Sequence, residues 1–256
     1  MASFNLLNTF IKFRVIIVKK FLLEINKFAK FFGFKIIQDS PLIYLHKYDS
    51  YNEYASIQKN ENKKEFNNIW ADAKTLKLIA KILMDQMNLI SKGDSNISGL
   101  CHGSRNGFEV NKLRNYLSSN NIFGTDISNT ANNVDFLIEW DFHNEKKEWN
   151  NKFDFVYSNS LDQSYNPILA LKTWLKQLKS SGLLFIEHTR DHSVVNENGQ
   201  KSCSKIDPFG IEPEFMPYFL SENFGHKISI DIVKSKKSNN NKDLWLFIVK
   251  NNKFLE

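Results

Sequence analysis

The sequence predicts an α/β protein: a doubly wound, mostly parallel seven-stranded sheet with a C-terminal antiparallel hairpin and a helical N-terminal extension. Three observations carry this expectation. Apolar, β-rich runs recur between helix-length segments at residues 97–101, 122–126, 136–140, 153–157 and 183–187, the pattern of strands buried on both faces. The stretch ISGLCHGSRNGFE, residues 97–109, passes from an apolar run through a turn holding Gly103 and Gly107 into a helical pattern. Such an arrangement aims free backbone N–H groups and a helix dipole at an anionic or polar cofactor. Finally, residues 227–233 alternate, KSKKSNNNK makes a solvated tip, and residues 244–249 return.

In chain order, residues 1–38 alternate apolar clusters with lysines, and Phe10, Phe13, Ile17, Phe21 and Ile25 share one face at helical spacing. This predicts an amphipathic basic helix, lying either on an anionic membrane surface as a peripheral contact or against the rest of the protein. No uncharged run reaches the ~18 residues of a membrane span. Lysines interrupt the apolar region, which argues against a signal peptide. The extension is expected to continue to residue 70, because 39–70 is polar, carries four tyrosines and has no clean period. That part should wrap the domain or form a substrate lid. The α/β domain is expected over 71–256, opening with a helix at 71–91 that places Leu76, Ile79, Leu83, Met87 and Ile90 on one face and stops near Gly93.

The first crossover helix is expected at 108–117. Nineteen residues past Gly107 the second strand ends in Asp126, the spacing at which an acid takes a ribose diol, and the third strand ends next to a further acid, Asp141. The fourth strand opens into Ser158–Gln163, where Asn159 and Asp162 stand. Asn166-Pro167 starts a helix with Ile168, Leu171, Leu175 and Leu178 inward, and Ser180-Ser181-Gly182 should end it. The fifth strand opens into His188-Thr189-Arg190-Asp191-His192. Residues 193–211 read as a long irregular segment, and 213–224 as a short helix. No internal repeat is visible.

The net charge of +6 is concentrated: residues 1–40 hold seven Lys/Arg against two acids, leaving +1 for the other 216 residues. A nucleic-acid channel would place its charge beside the active site, so no nucleic-acid partner is expected. Two cysteines are too few for a disulfide framework and fit a reducing, cytoplasmic compartment.

The glycine turn, Asp126 and Asp141 together resemble the Rossmann-like (class I) S-adenosylmethionine-dependent methyltransferases, from about residue 74 onward. The resemblance implies S-adenosylmethionine as cofactor. It implies a ribose site at Asp126-Ile127, an adenine site at Asp141-Phe142, and further cofactor contacts from His102, Gly103, Arg105, Gly107 and Asn159. The first strand departs from the family pattern. Gly99 stands where the family has an acid, and of the three aligned glycine positions, Cys101, Gly103 and Arg105, only Gly103 matches. The fourth strand lacks the run found in methyltransferases of exocyclic base amines, which favours a small-molecule or carbohydrate acceptor.

Methyl transfer from a sulfonium asks the protein mainly to position and desolvate its reactants. A hydroxyl or amine acceptor also needs a base, for which His188 or His192 is expected, with Asp162 orienting the histidine or the acceptor. His-x3-His on a loop lacks the register of a metal site, so no metal is expected. Two other functions stay open: a nicotinamide-dependent oxidoreductase, because glycines and a second-strand acid serve both cofactors, and a nucleoside-binding module on the same scaffold without activity.

Overall fold

The computed structural model describes residues 41–90, 97–196 and 200–252. The expected N-terminal helix over 1–38, the stop at Gly93 and the side chains of Met87 and Ile90 lie outside the described residues. The compact unit that holds the sheet runs from Leu42 to Glu256. It therefore takes in residues 42–70, which the sequence assigned to the extension.

Seven strands form the main sheet: β2 (Gly99–His102), β3 (Ile122–Asp126), β4 (Leu137–Glu139), β5 (Phe153–Ser158), β6 (Leu178–Thr189), β8 (Ile228–Lys236) and β9 (Asp243–Asn251). Their order is β4-β3-β2-β5-β6-β9-β8. The first five run parallel, and β9 pairs antiparallel with both β6 and β8. Each central strand is apolar on both faces and feeds two cores by alternation. Leu100, Val156, Leu184, Ile186 and Phe247 face one core, and Cys101, Phe155, Tyr157, Phe185 and Leu246 the other. Helices α2 (Ala73–Ile90) and α3 (Phe108–Leu117) cover the second core through Leu76, Ile79, Leu83, Val110 and Leu113. Helices α4 (Pro167–Gln177) and α5 (Met216–Phe224) cover the first through Leu171, Trp174, Met216 and Leu220.

Two elements differ from the expectation. Helix α4 ends at Gln177, and Ser180-Ser181-Gly182 lies inside β6, because Leu178 is already paired with Phe153 of β5. Residues 42–70, in which the sequence shows no clean period, hold regular elements. They give β1 (Ile43–Leu45), which pairs antiparallel with β7 (Phe209–Ile211), and helix α1 (Tyr51–Lys64). Ser50 caps α1 by accepting the Glu53 N–H at 3.2 Å, while Glu53 accepts the Asp49 N–H at 2.8 Å. The buried stripe of α1 is Tyr54, Gln58 and Asn62. It has helical spacing but is mostly polar, so a search for apolar periodicity passes over it.

Gly99 is required by the sheet itself. It stands opposite Phe155 on β5, and a Cβ there would fall inside the Phe155 ring. The ring is fully buried, so it has nowhere to go. Gly99→Ala should destabilise the fold by roughly 1–3 kcal/mol, the usual cost of overpacking. Urea unfolding measures this, and an unchanged midpoint would show that the ring has space to move.

Candidate functional site

Between β4 and β5 the chain crosses from one side of β2 to the other, so the strand order reverses at β2 and β5. Ligands of such sheets bind beyond the carboxyl ends of the strands at that reversal. Two adjoining spaces lie there.

The smaller is a cleft of about 10 Å³ bordered by Gly103, Asp126, Ile127, Asp141, Phe142 and, from α1, Tyr54, Gln58 and Asn62. Gly103 leaves β2 with φ +73°, and a Cβ there would strike Ser160. The turn that follows directs the Arg105 N–H to Asp126 Oδ2 at 3.1 Å. Asp126, at the end of β3, also accepts the Ser128 N–H at 2.7 Å. Both of its oxygens receive the Asn62 amide, at 3.0 and 3.1 Å. Burial raises the Asp126 carboxyl above its ordinary value, against these partners. Beyond β4, Asp141 accepts the His143 N–H at 2.9 Å and the Tyr51 hydroxyl at 2.8 Å, and lies 2.6 Å from His143 Nδ1. His143 Nε2 lies 2.7 Å from Ser164 Oγ. Burial works to raise Asp141, but the His143 and Tyr51 hydrogen bonds outweigh it and hold the carboxyl below its ordinary value.

The larger space is a cavity of about 610 Å³ over the ends of β2, β5 and β6, with the β8–β9 hairpin tip on its far side. Asn159, Asp162, Glu187, Thr189, His192 and Asp207 reach it, together with Arg105 from the turn after β2 and Glu109 from the start of α3. Asp162 sits in a 3₁₀ turn beyond β5, with Oδ2 at 3.8 Å from His192 Nε2. Burial pushes Asp162 up, to about 7, and Asp207 is pushed up by burial and by Asp162. Burial and neighbouring Lys237 pull His192 down to about 4, so its imidazole is neutral at pH 7. Glu187 is also pushed up to about 7 by burial, although it accepts the Tyr157 hydroxyl at 3.0 Å and the Asp72 N–H at 3.2 Å. Arg105 directs Nε and Nη2 toward Asn62 Oδ1 at 3.4 and 3.5 Å. Its Nη1 is buried without a hydrogen-bond partner among the described residues.

The structure brings together Gly103, Arg105, Asp126, Ile127, Asp141, Phe142, Asn159, Asp162 and His192. Three expected residues fall elsewhere. His102 is fully buried on the opposite face of β2, stacked on Trp174, with Nδ1 at 2.8 Å from Thr125 Oγ1 and Nε2 at 2.8 Å from Gln177 Oε1. His188 is buried beside Phe247, its Nε2 donating to the Ile211 carbonyl at 3.0 Å. Burial pulls it down to about 3. Neighbouring positions on a strand face opposite sides, so Glu187 and Thr189 reach the cavity and His188 does not. Gly107 supplies the left-handed residue that starts α3, against Phe136, and borders neither space. Sequence reasoning missed Tyr51, Asn62, Glu109, His143, Glu187 and Asp207. The S-x-x-E pattern at Ser50 and Glu53 was the available signal for α1.

These buried acids imply a dependence of stability on pH. Burial also lifts Glu109 to about 7. A carboxyl whose folded value lies above its unfolded one keeps its proton in the native state after the unfolded chain has lost it. Its ionisation therefore removes stability as pH rises through the folded value. Buried His102 and His188 and half-buried His192, pulled below 6.5, act in the opposite sense, chiefly as pH falls below 6.5. Stability should accordingly fall as pH rises from 6.5 through about 7 and level off above it, and Glu109→Gln should flatten that fall. A Tm of the unaltered protein that is level or rising over this range would show that the carboxyls reach water.

No protein-family model matches the sequence, and no curated protein matches it. Solved structures do match the fold. One is the plantazolicin methyltransferase BpumL in complex with a triazolic desmethylPZN analog and S-adenosylhomocysteine, at 14% identity over 78% of this chain and 96% of that chain, TM-score 0.57. Another is the Burkholderia thailandensis 1,6-didemethyltoxoflavin-N1-methyltransferase with 1,6-didemethyltoxoflavin and S-adenosylhomocysteine, at 10% identity over 84% and 97%, TM-score 0.56. At these identities, the fold is what the chain shares with them.

Proposed function

The chain has the class I S-adenosylmethionine-dependent methyltransferase fold, and from it we propose an enzyme that methylates a hydroxyl or amine of a small molecule. The observation that carries this reading is the meeting, at one strand-order reversal, of two nucleoside-facing acids with a 610 Å³ cavity that contains Asp162. Both structures named above are complexes with S-adenosylhomocysteine, the first also holding a triazolic desmethylPZN analog and the second 1,6-didemethyltoxoflavin. These support the cofactor and the size of the acceptor.

The donor set suits the cofactor. Asp126 is an acceptor for two ribose hydroxyls, and Asp141 for an adenine amine, with Ile127 and Phe142 as apolar walls. The unpartnered Arg105 Nη1 suits a carboxylate. S-adenosylmethionine, when bound, supplies an electrophilic methyl group. The chain's part is to hold the acceptor in the cavity and take its proton. Asp162, raised to about 7, is matched to that task near neutral pH. His192, neutral beside it, orients the acceptor or passes the proton outward.

Thermal unfolding with added ligand tests the cofactor class. S-adenosylhomocysteine should raise Tm and NAD should not, since only a ligand bound to the native state stabilises it. A rise with NAD alone would replace the methyltransferase reading with an oxidoreductase.

A further inference from the structure

Helix α1 stands where a nucleoside would have to lie. Asn62 donates to both oxygens of Asp126, and Tyr51 donates to Asp141. With Tyr54 and Gln58 between them, the cleft is reduced to about 10 Å³, roughly one water molecule. Building on the cofactor reading above, we infer that α1 is an internal plug: its amide and phenol take the places of the ribose hydroxyls and the adenine amine, and the cofactor binds only when α1 withdraws.

Three features make withdrawal physically reasonable. Apart from the Tyr54 ring, packed on His143 and Tyr165, the seam is polar, so parting it exposes mainly hydrogen-bonding groups to water and leaves the two apolar cores of the sheet covered. The helix is fastened to a part of the chain outside the main sheet. Tyr48 donates to the Lys205 carbonyl at 2.6 Å, Gln58 to the Ile206 carbonyl at 2.7 Å, and Lys205 pairs with Glu53 at 2.9 Å. Strands β1 and β7 join these pieces in a separate two-stranded sheet. Phe209 and Ile211 hold β7 in the first core, and His188 of β6 donates to the Ile211 carbonyl, so β7 stays in place while α1 and residues 205–206 shift together and the seven-stranded sheet stays intact. Moreover, Glu61 and Glu65 at the end of α1, with Ile69 and Trp70 beyond it, also border the large cavity. Withdrawal would thus open the cofactor cleft and reshape the acceptor cavity in one movement.

A plug lowers apparent affinity by the fraction of molecules that are open. Weakening it should therefore tighten binding, the reverse of what loss of a binding residue does. The experiment is calorimetric titration of the full chain with S-adenosylhomocysteine, using the unaltered protein, Asn62→Ala and Tyr51→Phe. Asn62→Ala should bind about fivefold or more tightly, and Tyr51→Phe, which loses one hydroxyl at a half-exposed position, about two- to threefold. Hydrogen exchange supplies a second readout: amides of residues 51–64 should exchange faster with ligand bound. Unchanged or weaker binding by both variants, with slower exchange in α1, would make the helix a fixed roof and overturn the plug while leaving the cofactor intact. Binding by none of the three would overturn both the plug and the cofactor reading. Tyr51→Phe keeps the test decisive should Asn62→Ala fail to fold.

Discussion

Asp162→Asn should lower methyl-transfer turnover by roughly 10²–10⁴ with S-adenosylhomocysteine affinity unchanged. The carboxyl is buried at the cavity wall, and burial lifts it to about 7, where it can take a proton from a hydroxyl or ammonium acceptor at neutral pH. The amide has nearly the same shape and cannot hold that proton. Its loss should fall on kcat, because Asp162 borders the large cavity and not the smaller cleft proposed for the nucleoside. His192→Ala separates two roles for the neighbouring ring, which is 3.8 Å away. A small effect means that it only orients, and a loss equal to that of Asp162→Asn means that proton transfer runs through the pair. Full activity in Asp162→Asn would leave proximity and desolvation as the whole of catalysis.

Asp126→Ala should weaken S-adenosylhomocysteine binding at least about tenfold, since two hydrogen bonds to an ionised acceptor are worth on the order of 2–4 kcal/mol. This substitution also frees Asn62 from its partner and so loosens α1. The loosened helix acts against the loss, and the double variant Asn62→Ala/Asp126→Ala isolates it. Calorimetry of the single and double variants reads both terms. Equal affinity in Asn62→Ala and the double variant would remove Asp126 from the cofactor site.

The strands were legible because they obey a rule that needs no partner information. A parallel strand covered on both faces is a continuous apolar run, and FDFVY and LLFIE are such runs. The acids at Asp126 and Asp141 were legible because spacing from the glycine turn counts residues along a crossover unit. Histidines were harder. Order along the chain brings His102 and His188 to strand exits, but the pleat decides which face each takes, and both turn into packed interiors. Helix α1 was missed for a different reason: Tyr54, Gln58 and Asn62 are buried against polar groups brought from Asp126, His143 and Ile206, which lie far away in sequence. Nothing local to residues 51–64 signals that their polar face has partners. Asp207 reached the site through the segment 193–211 in the same way.

The central claim is that the nucleoside-facing acids and the Asp162 cavity serve one bound cofactor and its acceptor. A crystal structure of the chain with S-adenosylhomocysteine tests it most directly. The expected result is a ribose on Asp126, an adenine beside Asp141 and a sulfur facing the cavity that holds Asp162, with α1 displaced from the position it has here. A ligand whose sulfur faces away from Asp162, or one bound elsewhere with Asn62 still on Asp126, would contradict it.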